Sequence, residues 1–201
     1  MSTISIALCL VAGAVAGHLL GGSPWLSHCD AGISALLYAM LFFVGLDLGS
    51  KGGIRRKLRE IGADVLVLPA LVIVGSLAGA WAAGRALGMA GWQSAAVGAG
   101  FGWYSLSGVL LGGHDAALGA VAFLSNIIRE VLALLLIPIF VKIIHPWAGI
   151  AAAGATAMDT TLPVVVKASG TNYAIQSFLS GVILSTMVPI VISILFAIAG
   201  V

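Results

Sequence analysis

The sequence has 201 residues, of which 61% are hydrophobic and only 8% are charged. A soluble domain carries about 25% charged residues, so this composition indicates an integral membrane protein. The formal net charge of +2 is too small and too localised to indicate a nucleic-acid partner. Cys9 and Cys29 have neither a zinc-binding nor a redox spacing, and both are interpreted as free thiols.

Three apolar segments in the first part of the chain predict three membrane helices, at residues 4–20, 33–48 and 64–83. A helix of about 20 apolar residues crosses the hydrocarbon core of a bilayer. Five of the nine basic residues lie between Lys51 and Arg59. The positive-inside rule places this loop, and with it the N-terminus, in the cytoplasm.

Glycines and hydroxyl groups interrupt the apolar sequence between residues 95 and 110. Such glycines let backbones approach closely or break a helix. A packing seam would account for the glycines, but a second interrupted segment later in the chain favours a binding site. The residues concerned are Gly98, Gly100, Gly102, Tyr104, Ser105, Ser107 and Gly108.

The second interruption, at residues 154–163, places an acid, two threonines and a proline within an apolar run. Pro163 suits the first turn of a helix, which Thr160 or Thr161 can cap, so two half-helices are predicted to meet at Asp159. Irregular backbone is tolerated at membrane depth only where protein or a polar cavity satisfies its polar groups. A broken helix that carries an acid therefore predicts a binding site.

Between the interruptions, residues 117–144 predict one long helix with Asn126, Arg129 and Glu130 inside its apolar span. Asn126 and Glu130 fall on one helical face, and Arg129 falls on the neighbouring row. A carboxylate at mid-membrane costs about 2.5–3.5 kcal/mol, which indicates a functional role. Arg129 and Glu130 could neutralise each other, but adjacent helical residues do not face each other, so separate partners are favoured.

A last helix is predicted at residues 173–198, and the loops before it carry Lys142 and Lys167. If both interrupted segments are re-entrant, both lysines lie in the cytoplasm; if both segments cross fully, Lys142 lies outside. The positive-inside rule favours segments that re-enter from opposite sides. The predicted fold is all-α and polytopic, with about five to seven membrane helices and the C-terminus outside. It is a single transporter domain, 1–201, with three scaffold helices (1–84) and a transport core (85–201).

Three motifs together resemble the LysO-type lysine exporters: GFGWYSLSG at 100–108, AFLSNIIREVLALLLIP at 122–138 and GATAMDTTLP at 154–163. The resemblance covers nearly all of the chain. It implies a bacterial or archaeal inner-membrane protein that exports L-lysine and toxic analogues such as thialysine by proton antiport. In that family two intramembrane acids are needed for transport, and they match Glu130 and Asp159 here. Familiar members begin further upstream, which leads us to expect a homodimer or a split-subunit pair.

The chemistry of lysine fits such a site, because lysine carries two ammonium groups and one carboxylate. Glu130 and Asp159 would bind ammonium, while the free amides of the half-helix that begins near Thr161, together with Arg129, would bind the carboxylate. Burial and mutual repulsion favour a proton on the acids without substrate, so proton and lysine would compete. The polar residues expected to line the site are Tyr104, Ser105, Ser107, Asn126 and Thr160.

Other functions remain open on the residues alone. A transporter of another cation, either a different basic amino acid or Na⁺, would use the same carboxylates and hydroxyls. A membrane enzyme with a pair of catalytic acids lacks any supporting motif, so no enzyme is predicted. A subunit of a split exporter would keep the helices without needing the acids. The four histidines are scattered, and we expect neither a metal site nor a cofactor.

Overall fold

The computed structural model describes residues 64–200, together with residues 11, 12, 15, 16 and 19. These five isolated positions are helical and fall within the first predicted span. The second predicted span, the basic cluster at 51–59 and both cysteines lie outside the described residues. The chain divides into two compact units, residues 1–60 and 61–201, and the second unit holds all the helices named below.

Helices account for nearly all of residues 64–200, and no strand occurs among the described residues, which confirms the all-α prediction. The short 3-10 helices are Gly154–Met158 and Thr171–Tyr173. The α-helices are α1 (Asp64–Ala86), α2 (Gly91–Gly98), α3 (Tyr104–Gly112), α4 (Ala116–Ile143), α5 (Pro146–Ala153), α6 (Leu162–Ser169) and α7 (Ala174–Ala199).

Three helical segments among the described residues are long and apolar enough to cross a membrane. They are Val65–Ala86 with 22 residues, Ala116–Ile143 with 28 and Thr171–Ala199 with 29. They match the helices predicted at 64–83, 117–144 and 173–198 closely. The long apolar runs therefore sufficed to locate these helices.

Helices α2 and α3 form a hairpin, here called hairpin 1 (residues 91–112). Trp92, near the beginning of α2, lies edge-on to His114, just after α3, with ring centroids 5.5 Å apart. The two ends of the hairpin are therefore neighbours, and the chain enters and leaves on the same side. Tip 1 (residues 99–103) reverses the chain, with positive φ at Phe101 (48°) and Gly102 (101°).

Helices α5 and α6, with the 3-10 helix between them, form hairpin 2 (residues 146–169). His145, just before α5, lies edge-on to Tyr173, shortly after α6, with ring centroids 6.4 Å apart. The ends of this hairpin are therefore neighbours as well. Tip 2 (residues 158–161) joins the 3-10 helix to α6. Of the two topologies that the sequence left open, both interrupted segments adopt the re-entrant one.

The two hairpins open toward opposite ends of α7. Phe196, in its last turns, lies edge-on to Trp92 at the mouth of hairpin 1, with centroids 6.1 Å apart, whereas α7 begins beside Tyr173 at the mouth of hairpin 2. Each hairpin is followed by one long helix, so residues 91–143 and 146–199 form two repeats of inverted orientation. This confirms the prediction of two re-entrant segments with opposite orientation.

The tips of the two hairpins meet inside the molecule. The backbone N–H of Ala155 donates to the carbonyl of Phe101, with an N to O distance of 2.9 Å. Phe101 and Leu184 belong to one buried apolar cluster around tip 1, while Ile137 and Val165 belong to a second cluster around hairpin 2. In proteins with inverted repeats, substrate sites lie near the midplane where the repeats meet.

Candidate functional site

Two carboxylates come together where tip 2 meets α4. Glu130 lies near the middle of α4. Asp159 follows the 3-10 helix in irregular backbone, with φ −135° and ψ −95°. Both side chains are half-buried and close enough for their charges to interact. The break predicted at Asp159 therefore delivers this acid to the helix that carries the other one.

Thr160 links the two acids. Its hydroxyl donates to Glu130 Oε1 at 2.5 Å, and its backbone N–H donates to Asp159 Oδ1 at 2.6 Å. No hydrogen bond to the second oxygen of either carboxylate occurs within residues 64–200. One oxygen of each acid is thus held in place, and the other can accept from a bound cation.

Tyr104 brings hairpin 1 to the same place. It begins α3, and its ring lies edge-on to Phe123 of α4, with centroids 5.4 Å apart. Both acids lie close enough to Tyr104 for their charges to act on its hydroxyl. Ser105 beside it is exposed. No side chain caps α3 at its N-cap residue, Trp103. The N–H of Tyr104 donates to the carbonyl of Gly102 at 3.1 Å, which leaves the amides of Ser105 and Leu106 available to water or a ligand.

Asn126 and Ser107, two of the expected liners, hold tip 1 in position. Asn126 Oδ1 accepts from the backbone N–H of Gly102 at 2.8 Å, and its Nδ2 donates to the carbonyl of Ala122 at 2.9 Å. The buried Ser107 hydroxyl donates to the carbonyl of Trp103 at 2.9 Å. The polar groups of both residues are satisfied within hairpin 1 and α4, so these residues hold tip 1 against α4.

The N-terminus of α6 uses its amides in a tight turn. Thr161 is the N-cap residue but makes no side-chain cap, and its hydroxyl lies 3.3 Å from that of Thr156. The N–H of Leu162 donates to the carbonyl of Asp159 at 3.2 Å, and that of Val164 donates to the carbonyl of Thr161 at 3.0 Å. The amides that the sequence led us to expect as free carboxylate donors are therefore engaged.

Arg129 contacts α1 and α5 instead of the acids. Its Nη1 donates to the hydroxyl of Ser76 at 3.0 Å, and its Nη2 lies 3.5 Å from the carbonyl oxygen of Ala151. Glu130 bonds to Thr160, so the two adjacent charges have separate partners, as the helical geometry predicted. Within residues 64–200, Arg129 makes no hydrogen bond to either acid.

Two residues of this region were not predicted from the sequence. Ser76 is one of many small residues in α1, and nothing in its neighbourhood marks it as the partner of Arg129. Thr156 is buried, and its hydroxyl donates to the carbonyl of Ala153 at 2.8 Å. Its place within the GATAMDTTLP motif was the available signal.

Comparison with known proteins gives one family. Residues 7–196 match the model of the family described as lysine exporter LysO. An Escherichia coli K12 protein named lysine exporter LysO is 33% identical over 196 residues, which are 96% of this chain and 64% of that protein. A Haemophilus influenzae Rd protein, named as a candidate lysine exporter, is 32% identical over 186 residues, which are 91% of this chain and 94% of that protein. No solved structure matches significantly.

Proposed function

Because the chain belongs to the LysO lysine exporter family, we propose that it exports L-lysine, and analogues such as thialysine, by proton antiport. The family is one of transporters and not of enzymes. The observation that carries the proposal is the cluster of Glu130, Thr160 and Asp159 where the inverted repeats meet. Two acids at mid-membrane require a function that compensates their cost.

An ammonium group of lysine binds between Glu130 and Asp159. Ammonium has three N–H donors, so it can contact the open oxygen of both carboxylates at once. Two half-buried negative charges without a cation repel each other and are poorly solvated, so a proton occupies the cluster when lysine is absent. Lysine and protons are therefore alternative ligands of the same groups.

The α-carboxylate of lysine binds at the N-terminus of α3. The amides of Ser105 and Leu106 there have no acceptor within residues 64–200, the positive end of the helix dipole favours an anion, and the exposed Ser105 adds a hydroxyl. Tyr104 lies at this end of α3, with its ring against Phe123 of α4, the helix that carries Glu130. This assignment replaces the N-terminus of α6, because the amides of α6 are engaged in the turn at tip 2.

Competition for the acids produces exchange if the protein changes its open face only when the acids hold a proton or lysine. The inverted repeats support such a change, because each hairpin reaches the site from a different end. Rocking of one repeat against the other around a fixed site is the usual form of alternating access. A proton gradient directed inward would then drive lysine outward.

We propose that the mouth of hairpin 2 faces the cytoplasm of the bacterial or archaeal cell. Lys142 and Lys167 lie at this end of α4 and α6, whereas Arg85 lies in the last turn of α1, at the other end. Basic residues concentrate on the cytoplasmic side. The N-terminus is then cytoplasmic and the C-terminus lies outside the inner membrane.

We also propose that the working unit is a homodimer, since two-fold homodimers are the commonest symmetric assembly. Pairing with a second transporter subunit is the alternative. The mass of the active particle in detergent, with its lipid and detergent subtracted, distinguishes one chain from two. Recovery of transport only after a second protein is added would favour the split exporter.

Transport in liposomes tests the function. The native chain is expected to move labelled lysine in response to a pH gradient, while Glu130→Gln and Asp159→Asn should not. Asp115→Asn is the matched control, because Asp115 only caps α4 and asparagine caps equally well. Normal transport by either acid variant would defeat the assignment. Na⁺-dependent transport without competition by lysine would identify Na⁺ as the substrate instead of lysine. Transport of another basic amino acid only would assign that amino acid as the substrate.

A further inference from the structure

Arg129 occupies a position that the lysine site does not explain. Its guanidinium group has five N–H donors, of which one has a firm acceptor, the Ser76 hydroxyl at 3.0 Å. The carbonyl of Ala151 lies at the limit of hydrogen bonding, at 3.5 Å. The other charged side chain of α4, Lys142, lies in its last turn, and Asp115 is its N-cap residue. An uncompensated cation near the middle of a membrane helix is costly, so an acceptor of negative charge is expected beside it.

Three cavities meet at Arg129. One of about 460 Å³ follows α1 toward Met89 and the mouth of hairpin 1. A second, of about 500 Å³, follows α1 in the opposite direction toward Trp147 and the mouth of hairpin 2. A third, of about 370 Å³, lies between α4 and Ala152 of α5. The guanidinium group therefore has room beside it and is approached from both ends of α1.

The lining of these cavities selects a small anion. Their walls consist mainly of small and apolar side chains, among them Gly75 and Ala152, and no aspartate or glutamate of residues 64–200 lines them. The hydroxyl of Ser76, which contacts the guanidinium group, can donate to an anion, and Ser125 also lines the cavity toward hairpin 1. An arginine fork matches a carboxylate in two-point contact and also donates well to a single negative ion.

We infer that Arg129 is the principal donor of a binding site for a small monovalent anion, a chloride ion or a carboxylate group, between α1 and α4. The site goes beyond the proposed lysine site, because neither Glu130 nor Asp159 lines the three cavities. Arg129 already contacts α1 through Ser76 and α5 through Ala151. An anion held there stabilises the packing of α1, α4 and hairpin 2 on one another.

Thermal unfolding of the purified full chain in lipid nanodiscs tests the inference. The starting buffer contains only methanesulfonate as anion, and chloride or acetate is then titrated in. The native chain is expected to show a saturable rise in melting temperature of about 2–4 °C. The rise should be absent in Arg129→Gln, and Arg129→Lys should need an about tenfold higher anion concentration for half of the rise.

Two control variants separate this site from the lysine site and from general charge effects. Glu130→Gln and Lys142→Gln should keep the anion-dependent rise, whatever their effect on lysine export. A response to chloride alone identifies a halide site, and a response to acetate identifies a carboxylate site. If Arg129→Gln does not fold, the anion-dependent rise in melting temperature is compared between the native chain and the variants Arg129→Lys and Ser76→Ala. An unchanged melting temperature of the native chain with both anions, or an undiminished rise in the Arg129 variants, overturns the inference.

Discussion

Replacing Asn126 with alanine should remove the hydrogen bonds that attach tip 1 to α4 and so lower the free energy of unfolding. The side chain accepts from Gly102 at 2.8 Å and donates to the carbonyls of Val97 at 3.2 Å and Ala122 at 2.9 Å. In Asn126→Ala the buried amide of Gly102 loses its acceptor, which costs about 1–3 kcal/mol. Each lost donor bond adds about 0.6 kcal/mol, the average in membrane proteins. The expected loss of unfolding free energy is therefore about 2–4 kcal/mol.

Equilibrium unfolding in mixed micelles, followed by tryptophan fluorescence, measures this loss. Asn172→Ala is the matched control, because the side chain of Asn172 is exposed and its loss should change stability by less than about 0.5 kcal/mol. Asn126→Asp keeps an acceptor for Gly102 but turns a donor into an acceptor facing two carbonyl groups, so we expect it to be no more stable than Asn126→Ala. Normal stability of Asn126→Ala together with weakened lysine binding would refute this reasoning and make Asn126 a direct ligand of lysine.

Three further predictions concern the tips and the orientation. Thr160→Val removes the hydroxyl that bonds to a charged acid and should lower lysine transport by about tenfold or more. Thr160→Ser should keep most of the transport. Equal transport rates for the two variants would show that the hydroxyl has no role in transport. Gly154→Ala should destabilise the fold, because the φ of Gly154 is +66° and a Cβ there would collide with the carbonyl oxygen of Phe101 in tip 1. Gly75→Ala is the control and should be tolerated, because a Cβ there meets nothing within 4 Å. A Gly154→Ala protein as stable as the native chain would contradict this geometry. In a chain freed of its native cysteines, an impermeant maleimide should label His114→Cys in intact cells and Asn172→Cys only after permeabilisation, and the reverse pattern would invert the proposed topology.

The sequence predicted the break at Asp159 well, because its signals are local. An acid, two threonines and a proline within ten residues of an apolar run favour a helix break, whereas the lone Pro69, Pro138 and Pro189 lie inside continuous helices. The position of Glu130 inside a long apolar segment is equally local. Each acid could therefore be singled out from local sequence, whereas their use as a pair was expected from the resemblance to the LysO-type exporters.

The use of individual donors was not predictable from the sequence, because it depends on tertiary contacts. Whether the amides of Leu162 and Val164 are free is decided by the turn that tip 2 adopts. Asn126 was expected on the same helical face as Glu130, but its Oδ1 accepts from Gly102 of tip 1, and its Nδ2 donates to the carbonyls of Val97 in α2 and Ala122 in α4. For the same reason Ser76 could not be paired with Arg129, since the two residues lie 53 positions apart in the chain.

The re-entrant topology of the two hairpins was favoured by the sequence but not decided by it. The positive-inside rule favoured re-entrance through Lys142 and Lys167, but two lysines alone could not decide it. The contacts of Trp92 with His114 and of His145 with Tyr173 decide it, because they bring the two ends of each hairpin together. Aromatic residues are common at membrane interfaces, yet their pairing requires the folded chain.

The proposed competition between lysine and protons is tested most directly by measuring proton release when lysine binds. The purified native chain, in weakly buffered solution with a pH-sensitive dye, is expected to release about one proton for each lysine bound, and its lysine affinity should fall as the pH is lowered. Glu130→Gln and Asp159→Asn should release less, and Asp115→Asn should behave as the native chain. Lysine binding by the native chain without proton release, or undiminished release in both acid variants, would contradict the shared use of Glu130 and Asp159.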